Sequence, residues 1–586
     1  MRPPRPEYPR PTLVREDWIS LNGTWEFDFD DTNVGMDQQW YLNRKLTRSI
    51  VVPFPFQSDL SGIGDRGFHD VVWYRRVFDV PDGFRGRRML LHFGAVDYLA
   101  AIWLNGEPIG QHRGGYVPFN CDITDIVRRN GNVLVLRVED TQSPEQPRGK
   151  QSVALNSSGC TYTRTTGIWQ TVWLEPVSPH YIQHVRCTPD VDEGRVEVTA
   201  KLSGRTDRTR LHVAVSFGGQ RETEVHLGVA ADDVQFTIGL KAPRLWSPEA
   251  PNLYDLLLEL VEDGSVVDRA LVYFGLRKVE VSGSHIKLNG KPLYQRLVLD
   301  QGFWPDGIYT APNDDAFKAD IELAKALGFN GVRMHQKIAD PRYLYWADHL
   351  GLLVWAEMPA CFEFTDAAVA NFAREWPQLI RRDYNHPCII AWVPFNETWG
   401  IAGVKDSSRQ QEFVGEIAAM TRSLDTTRLV VDNSGWEHLD TDIVDIHDYT
   451  GDAAELARRL KPLKLDKLNL GDRKVMVDGV QYSGQPVIVS EYGGISLQSV
   501  REGDWGYGKA AASTRELVRR YRELTNVLLA SKSLAGFCYT QLYDIEQETN
   551  GLATYDRKPK VKPATIAAIN TGRALAAKRP AKPGGK

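Results

Sequence analysis

The run from Ile389 to Gly400, Ile-Ile-Ala-Trp-Val-Pro-Phe-Asn-Glu-Thr-Trp-Gly, ends an apolar stretch with an amide and a carboxylate, Asn396 and Glu397. Its first residues read as a strand buried on both faces, and Pro394 breaks it. Trp392 and Trp399 bracket the acid. A carboxyl among aromatics loses hydration, which favours its protonated form and suits a proton donor to a leaving oxygen. The plain alternative is a strand-end glutamate in a solvated loop. A second stretch, Gln485 to Gly494, is again β-branched and ends in Ser490-Glu491-Tyr492 before two glycines. In a β/α barrel the ends of different strands converge on one face, where reacting groups collect. Two carboxyls flanking one bond are the equipment of glycoside hydrolysis.

The elements that must hold these residues begin near 282, where strands alternate with helices. Asn313 caps a helix whose first turn carries Asp314 and Asp315, and Phe317, Ile321, Ala324 and Leu327 follow at helical spacing up to Gly328. The strands are Lys291–Val298, Gly331–His335, Leu352–Glu357, the Glu397 strand, Arg428–Asp432, Ile443–His447, the Glu491 strand and Ala535–Gln541. Helices are expected at Tyr343–Leu350, 372–384, 408–423 and 510–531. Eight strands over 282–575 match a (β/α)8 TIM barrel with Glu397 ending the fourth and Glu491 the seventh. Residues 1–178 read as all-β, with short alternating runs and turns at Asn22-Gly23, Asn105-Gly106 and Asn130-Gly131, as in a jelly-roll sandwich. Residues 179–281 hold about seven short strands, as in an immunoglobulin-like sandwich without its Cys-Trp-Cys spacing. Lys461–Gly484 is expected as a long loop at the barrel mouth or flank, and 576–586 as a disordered tail.

A chain of 586 residues needs several cores. Its formal charge of −5 leaves no basic footprint for nucleic acid. The N-terminus lacks the apolar core of a signal peptide, and no apolar run approaches a membrane span. The six cysteines have no C-x-x-C pair and read as free thiols of a cytoplasmic protein, with no metal-ligand spacing. The 16 tryptophans and 22 tyrosines supply faces that stack on sugars, although most serve as core.

Read in order, the motifs resemble glycoside hydrolase family two, the group of β-galactosidases, β-glucuronidases and β-mannosidases. Leu21-Asn-Gly-Thr-Trp25, Trp73-Tyr-Arg-Arg76, Trp103-Leu-Asn-Gly106, Gly114–Phe119 and Thr166–Pro176 look like its sugar-binding jelly roll. Leu245–Tyr254 and Phe274–Lys278 look like its sandwich. Gly328–His335 and Phe395-Asn-Glu397 look like its barrel. The resemblance implies a retaining mechanism with Glu397 as acid/base, Glu491 as nucleophile, Asn396 on the sugar 2-hydroxyl and Arg333 holding the nucleophile ionised. It implies a roughly 5–5.5 Å gap between the carboxyls, a carbohydrate substrate, a homo-oligomer by analogy, and no cofactor. His335 and His447 end strands and offer hydroxyl contacts, or serve as packing histidines. Asp300 and Glu357 bind hydroxyls or pair with arginine. Trp399, Trp436 and Tyr449 form a stacking floor or pack. Tyr492 is a candidate partner of the nucleophile, and Glu548 follows the last strand.

Two departures bear on the sugar. After the first strand the family carries Arg-Gly-Val-Asn, whereas this chain reads Gln295-Arg-Leu-Val-Leu-Asp300-Gln-Gly-Phe-Trp304, with Trp304 as a candidate aromatic wall. Where family glucuronidases carry an Asn-x-Lys pair for the sugar carboxylate, this chain reads Glu548-Thr-Asn550. A glutamate there repels a carboxylate, which favours a neutral sugar. Galactosides come first; β-mannosides, α-L-arabinosides, β-galactofuranosides, β-glucuronides and a non-catalytic carbohydrate-binding role are the alternatives.

Overall fold

The computed structural model describes residues 3–572 apart from 43, 462, 464, 466, 467, 469, 470 and 499–501, so the tail 576–586 lies outside the described residues. Eight parallel strands form one sheet: β1 Gln295–Asp300, β2 Gly331–Met334, β3 Leu353–Glu357, β4 Ile389–Val393, β5 Leu429–Val430, β6 Val444–Asp448, β7 Val487–Gly493 and β8 Leu534–Thr540. Their order is β5-β4-β3-β2-β1-β8-β7-β6. The ladder is unbroken except between β5 and β6. There Asp442 closes the ring, its carboxylate accepting from Val430 N–H at 2.7 Å and its own N–H donating to Val430 O at 2.8 Å.

Helices pack outside the sheet. α1, Asp314–Ala326, starts where Asn313 accepts a bond from Ala316 N–H and buries Phe317, Ile321 and Ala324. It stops at Gly328, whose φ of +83° only glycine adopts without strain. A Cβ there would also stand 2.7 Å from Ala567 Cα in α7, Pro563–Asn570. α2 is Pro341–Leu350, α4 Ser408–Leu424 and α6 Thr514–Ala530. α3 runs from Asp366 to Asp383, longer than its apolar periodicity suggested, because Thr365 caps it a turn and a half earlier. α5, Ala453–Leu460, and α7 were not anticipated; each spans only 8 residues, too few for a clear period.

The first strand corrects the sequence reading. Lys291–Pro292 belongs to a small antiparallel sheet with Val279–Ser282 and His285–Leu288, because Asn289-Gly290 turns the chain back with both φ values positive. β1 therefore begins at Gln295 and carries Asp300 to the strand end. Part of the expected long loop is also ordered against the barrel: Lys474 O and Val475 O accept from Glu437 and His438 N–H, and Val477 N–H returns to His438 O.

Ahead of the barrel lie two sandwiches. The first packs a four-stranded sheet on a six-stranded one, with Trp25, Phe27, Tyr74, Leu91 and Leu136 in its core. Its Asn105-Gly106 turn has positive φ at both residues, as a two-residue hairpin requires. The second packs three strands on four, seven in all. Arg277 ties it to the barrel by donating to the carbonyls of Pro387, Thr427 and Ile389 at 2.8–3.1 Å. Arg277→Leu would take the donor from the Pro387 and Thr427 carbonyls, while Ile389 O keeps Arg428 Nε at 3.0 Å, and is expected to lower stability by about 2 kcal/mol, read as a fall in the denaturation midpoint. An unchanged midpoint would show that the tie contributes nothing. All six cysteines are free, five buried and Cys160 partly exposed. Among the described residues no helix is long and apolar enough to cross a membrane.

Candidate functional site

The strand ends meet around one guanidinium. Arg333, on β2, has no solvent exposure. Its Nε donates to Glu357 Oε1 at 2.7 Å, on β3. Its Nη1 donates to Ser490 O at 2.7 Å and to Glu491 Oε1 at 3.1 Å, both on β7. Its Nη2 donates to Asn396 Oδ1 at 2.9 Å, just past β4. A planar fork of donors thus fixes three strand ends at once. Irregular register in β7, between Val489 and Tyr492, turns Glu491 toward this centre.

Beyond Pro394, Phe395–Asn396 pairs with Asn433–Ser434. Glu397 and Thr398 then adopt φ of +51° and +60°, rare for residues with side chains. Ser434 O accepts from Glu397 N–H at 2.9 Å and Asn433 Oδ1 from Thr398 N–H at 3.1 Å, which holds this strained turn in place. Glu397 Oε1 lies 2.7 Å from His447 Nδ1, at the end of β6. One oxygen each of Glu397 and Glu491 and a nitrogen of His447 lie within 4.8 Å of one another. The Tyr449 hydroxyl donates to Glu491 Oε2 and stacks flat on Tyr507, ring centroids 3.4 Å apart. His335 Nδ1 lies 2.8 Å from Glu357 Oε2. Trp399 and Trp436 are half-buried at the rim, Trp436 with its edge toward His447.

Burial alone would raise the Glu491 carboxyl. His447, Arg333 and His335, with the Tyr449 hydroxyl, outweigh it and hold the group at about 2. Burial opposes charge on His447 too, yet Glu491 and Glu397 push its pKa up. The dry surroundings expected for Glu397 fall on Glu491 instead: their side chains are 21% and 5% exposed. Asn396 Nδ2 is buried with no partner among the described residues, a donor left free beside the carboxyl pair. Such a site presents an ionised Glu491 carboxylate facing a second, more exposed carboxyl, Glu397.

Three expected site residues point elsewhere. Asp300 is closed off, accepting from the hydroxyls of Tyr343 (2.9 Å) and Tyr543 and from Gly302 N–H (3.0 Å). Trp304 is no cleft wall; it is 4% exposed and packs on Phe317 with the Arg557 guanidinium over its ring. Tyr492 turns outward to Thr525 Oγ1 at 2.8 Å, because successive strand residues face opposite ways, and Tyr449 takes the contact with Glu491. Glu548 does reach the mouth, accepting from Tyr162 Oη at 2.5 Å and Asn550 Nδ2 at 2.9 Å; burial raises its pKa.

Sequence reasoning missed Lys150, Tyr162 and Tyr507. Lys150 and Tyr162 come from the first sandwich, and Lys150 Nζ stands 4.1 Å from the Trp399 ring centroid. Nothing in a single sequence signals contact between residues about 250 positions apart. The Gly-Lys in Pro147-Arg-Gly-Lys-Gln151 was the one available hint, a loop glycine beside a charge.

Fold and sequence place the chain among known proteins. Family models match successive parts of it: "Glycosyl hydrolases family 2, sugar binding domain" over 18–174, "Glycosyl hydrolases family 2" over 180–277 and "Glycosyl hydrolases family 2, TIM barrel domain" over 279–503. The chain belongs to glycosyl hydrolases family 2. It is 26% identical to a β-galactosidase of Thermoanaerobacter pseudethanolicus over 70% of this chain and 54% of that one. It is 27% identical to a β-glucuronidase of Paenibacillus borealis over 67% and 69%. The chain thus spans about half the length of that β-galactosidase. Its fold matches an uncultured Clostridium β-glucuronidase with a TM-score of 0.77 at 22% identity, covering 95% of this chain and 99% of the other.

Proposed function

We infer that the protein is a retaining exo-glycosidase that cleaves O-glycosidic bonds by double displacement. The observation that carries this reading is the carboxyl pair, Glu397 and Glu491, at the ends of β4 and β7 with oxygens within 4.8 Å. That separation is on the retaining side, since an inverting site leaves roughly 6.5–9.5 Å for a water. Glu491, ionised beside Arg333, attacks the anomeric carbon. Glu397 protonates the departing oxygen, then takes a proton from the water that frees the sugar. Asn396 Nδ2 donates to the 2-hydroxyl. Trp399 and Trp436 line the rim against the sugar's C–H faces.

For the glycone we propose a neutral, galactose-like sugar. Glu548 supports it, a buried carboxyl in the wall of the mouth that opposes a sugar carboxylate. A β-glucuronide is the second reading, favoured by the Lys150 ammonium in the same mouth and by relatives named β-glucuronidases. The deciding experiment is hydrolysis of nitrophenyl β-galactopyranoside, β-glucuronide, β-mannoside, α-L-arabinoside and β-galactofuranoside by the wild type and Glu491→Ala. Turnover of a neutral glycoside, lost in the variant, upholds the reading. Preference for the glucuronide overturns the glycone, and silence on every substrate points to a glycone outside the panel or to a carbohydrate-binding protein.

A further inference from the structure

The loop 148–163 of the first sandwich is clamped onto the barrel. Arg148 and Gly149 N–H both donate to Ala360 O, at 2.9 and 3.0 Å. Gly149 has φ of +59°, and a Cβ there would lie 2.0 Å from Gln336 O, so only glycine permits this approach. At the loop's far side, Trp505 Nε1 and Gln547 Nε2 donate to Gly159 O at 2.8 and 2.7 Å, and Thr163 N–H donates to the Glu546 carboxylate at 3.2 Å. Lys150 and Tyr162 are joined back to back by Tyr162 N–H to Lys150 O at 2.8 Å.

This framework delivers an ammonium to the mouth, over the face of Trp399 at 4.1 Å, and leaves most of its N–H donors unused. Lys150 is 5% exposed, and the sole hydrogen-bond partner of its ammonium among the described residues is the Cys160 thiol, a weak acceptor 3.5 Å away. It forms no ion pair with a described carboxylate. The acids that act on it are Glu397, Glu491 and Glu548; against burial, they and Cys160 push its pKa up. A buried ammonium with unused donors is costly unless something completes it.

We propose that Lys150, supplied by the sandwich domain, is a sugar-binding residue that, together with Glu548, reads a hydroxyl of the glycone. The inference rests on the glycosidase reading above. A hydroxyl both accepts and donates, so it satisfies the ammonium and the carboxyl together. A sugar carboxylate satisfies Lys150 alone and meets Glu548 with like charge. Lys150 stands over the Trp399 ring, two residues past Glu397, and its neighbour Tyr162 donates to Glu548 in the loop after β8.

The test compares kcat/KM of wild type and Lys150→Met on the best neutral nitrophenyl glycoside and its 3-, 4- and 6-deoxy analogues. Wild type is expected to lose about 30-fold or more on one deoxy analogue, the loss of a hydrogen bond to a charged group. Lys150→Met is expected to lose a similar factor on the parent glycoside and nothing further on that analogue, with Tm near wild type because main-chain bonds hold the loop. Equal fractional losses on every substrate would make Lys150 structural and overturn the proposal, as would an unchanged parent kcat/KM or a loss confined to the β-glucuronide. Wild-type silence on all glycosides overturns both readings, whereas activity indifferent to Lys150 overturns this one alone.

Discussion

Glu491→Ala is expected to lose about 10⁴-fold or more in kcat on a nitrophenyl glycoside, and azide is expected to restore part of it. The alanine leaves a gap on the face of the sugar opposite the departing group. Azide fills that gap and attacks directly, so a β-glycoside gives the α-glycosyl azide. Glu397→Ala behaves differently. Nitrophenolate leaves without a proton, so the glycosyl-enzyme still forms, but no base remains to activate water. Azide, needing no base, attacks that intermediate and returns the β-glycosyl azide. Opposite anomers from the two variants, identified by NMR, distinguish the roles of two carboxyls whose oxygens lie within 4.8 Å. The same anomer from both variants, or an active Glu491→Ala, would end the double-displacement assignment.

Arg333→Met is expected to damage activity and stability together. The guanidinium carries charge-assisted bonds to Glu357 and Glu491 and fixes Asn396, all without exposure to water. Removing one partner of a buried ion pair costs about 3–5 kcal/mol, because the remaining charges lose their compensation. Catalysis should fall about 10³-fold as the nucleophile loses ionisation and aim. The pH dependence follows the same sign. In the folded protein the Glu491 pKa drops from the ordinary 4.5 to about 2, against burial, through His447, Arg333 and His335. That difference corresponds to about 3 kcal/mol, present above pH 4.5 and lost as pH falls toward 2. In the variant the carboxyl protonates at higher pH, so the acid limb of kcat/KM moves toward neutrality. A variant with the wild-type Tm and an unmoved acid limb would show that Arg333 does not govern Glu491. Arg333→Lys is expected to resemble the methionine variant in activity, since one ammonium cannot reach three strand ends.

What the sequence by itself determined is local or periodic. The eight barrel strands and the helices of ordinary length follow from apolar runs, caps and glycine stops that act within a few residues, as Asn313 and Gly328 do for α1. Glu397 and Glu491 could be found because each ends such a strand, and barrel geometry brings strand ends together whatever the side chains between them. The same logic misdirected Asp300, Trp304 and Tyr492. Position near a strand end does not say which way a side chain turns, and one residue of register reverses its face. β1 slipped past Lys291 for a related reason: a tight Asn289-Gly290 turn captured those residues for another sheet. Only the tertiary structure decided that Tyr449 meets Glu491, that Arg333 gathers three strands, and that a sandwich loop carries Lys150 into the barrel mouth. Those contacts join residues tens to hundreds of positions apart, and they are set by how strands twist and how domains dock, which no pattern of neighbouring residues encodes.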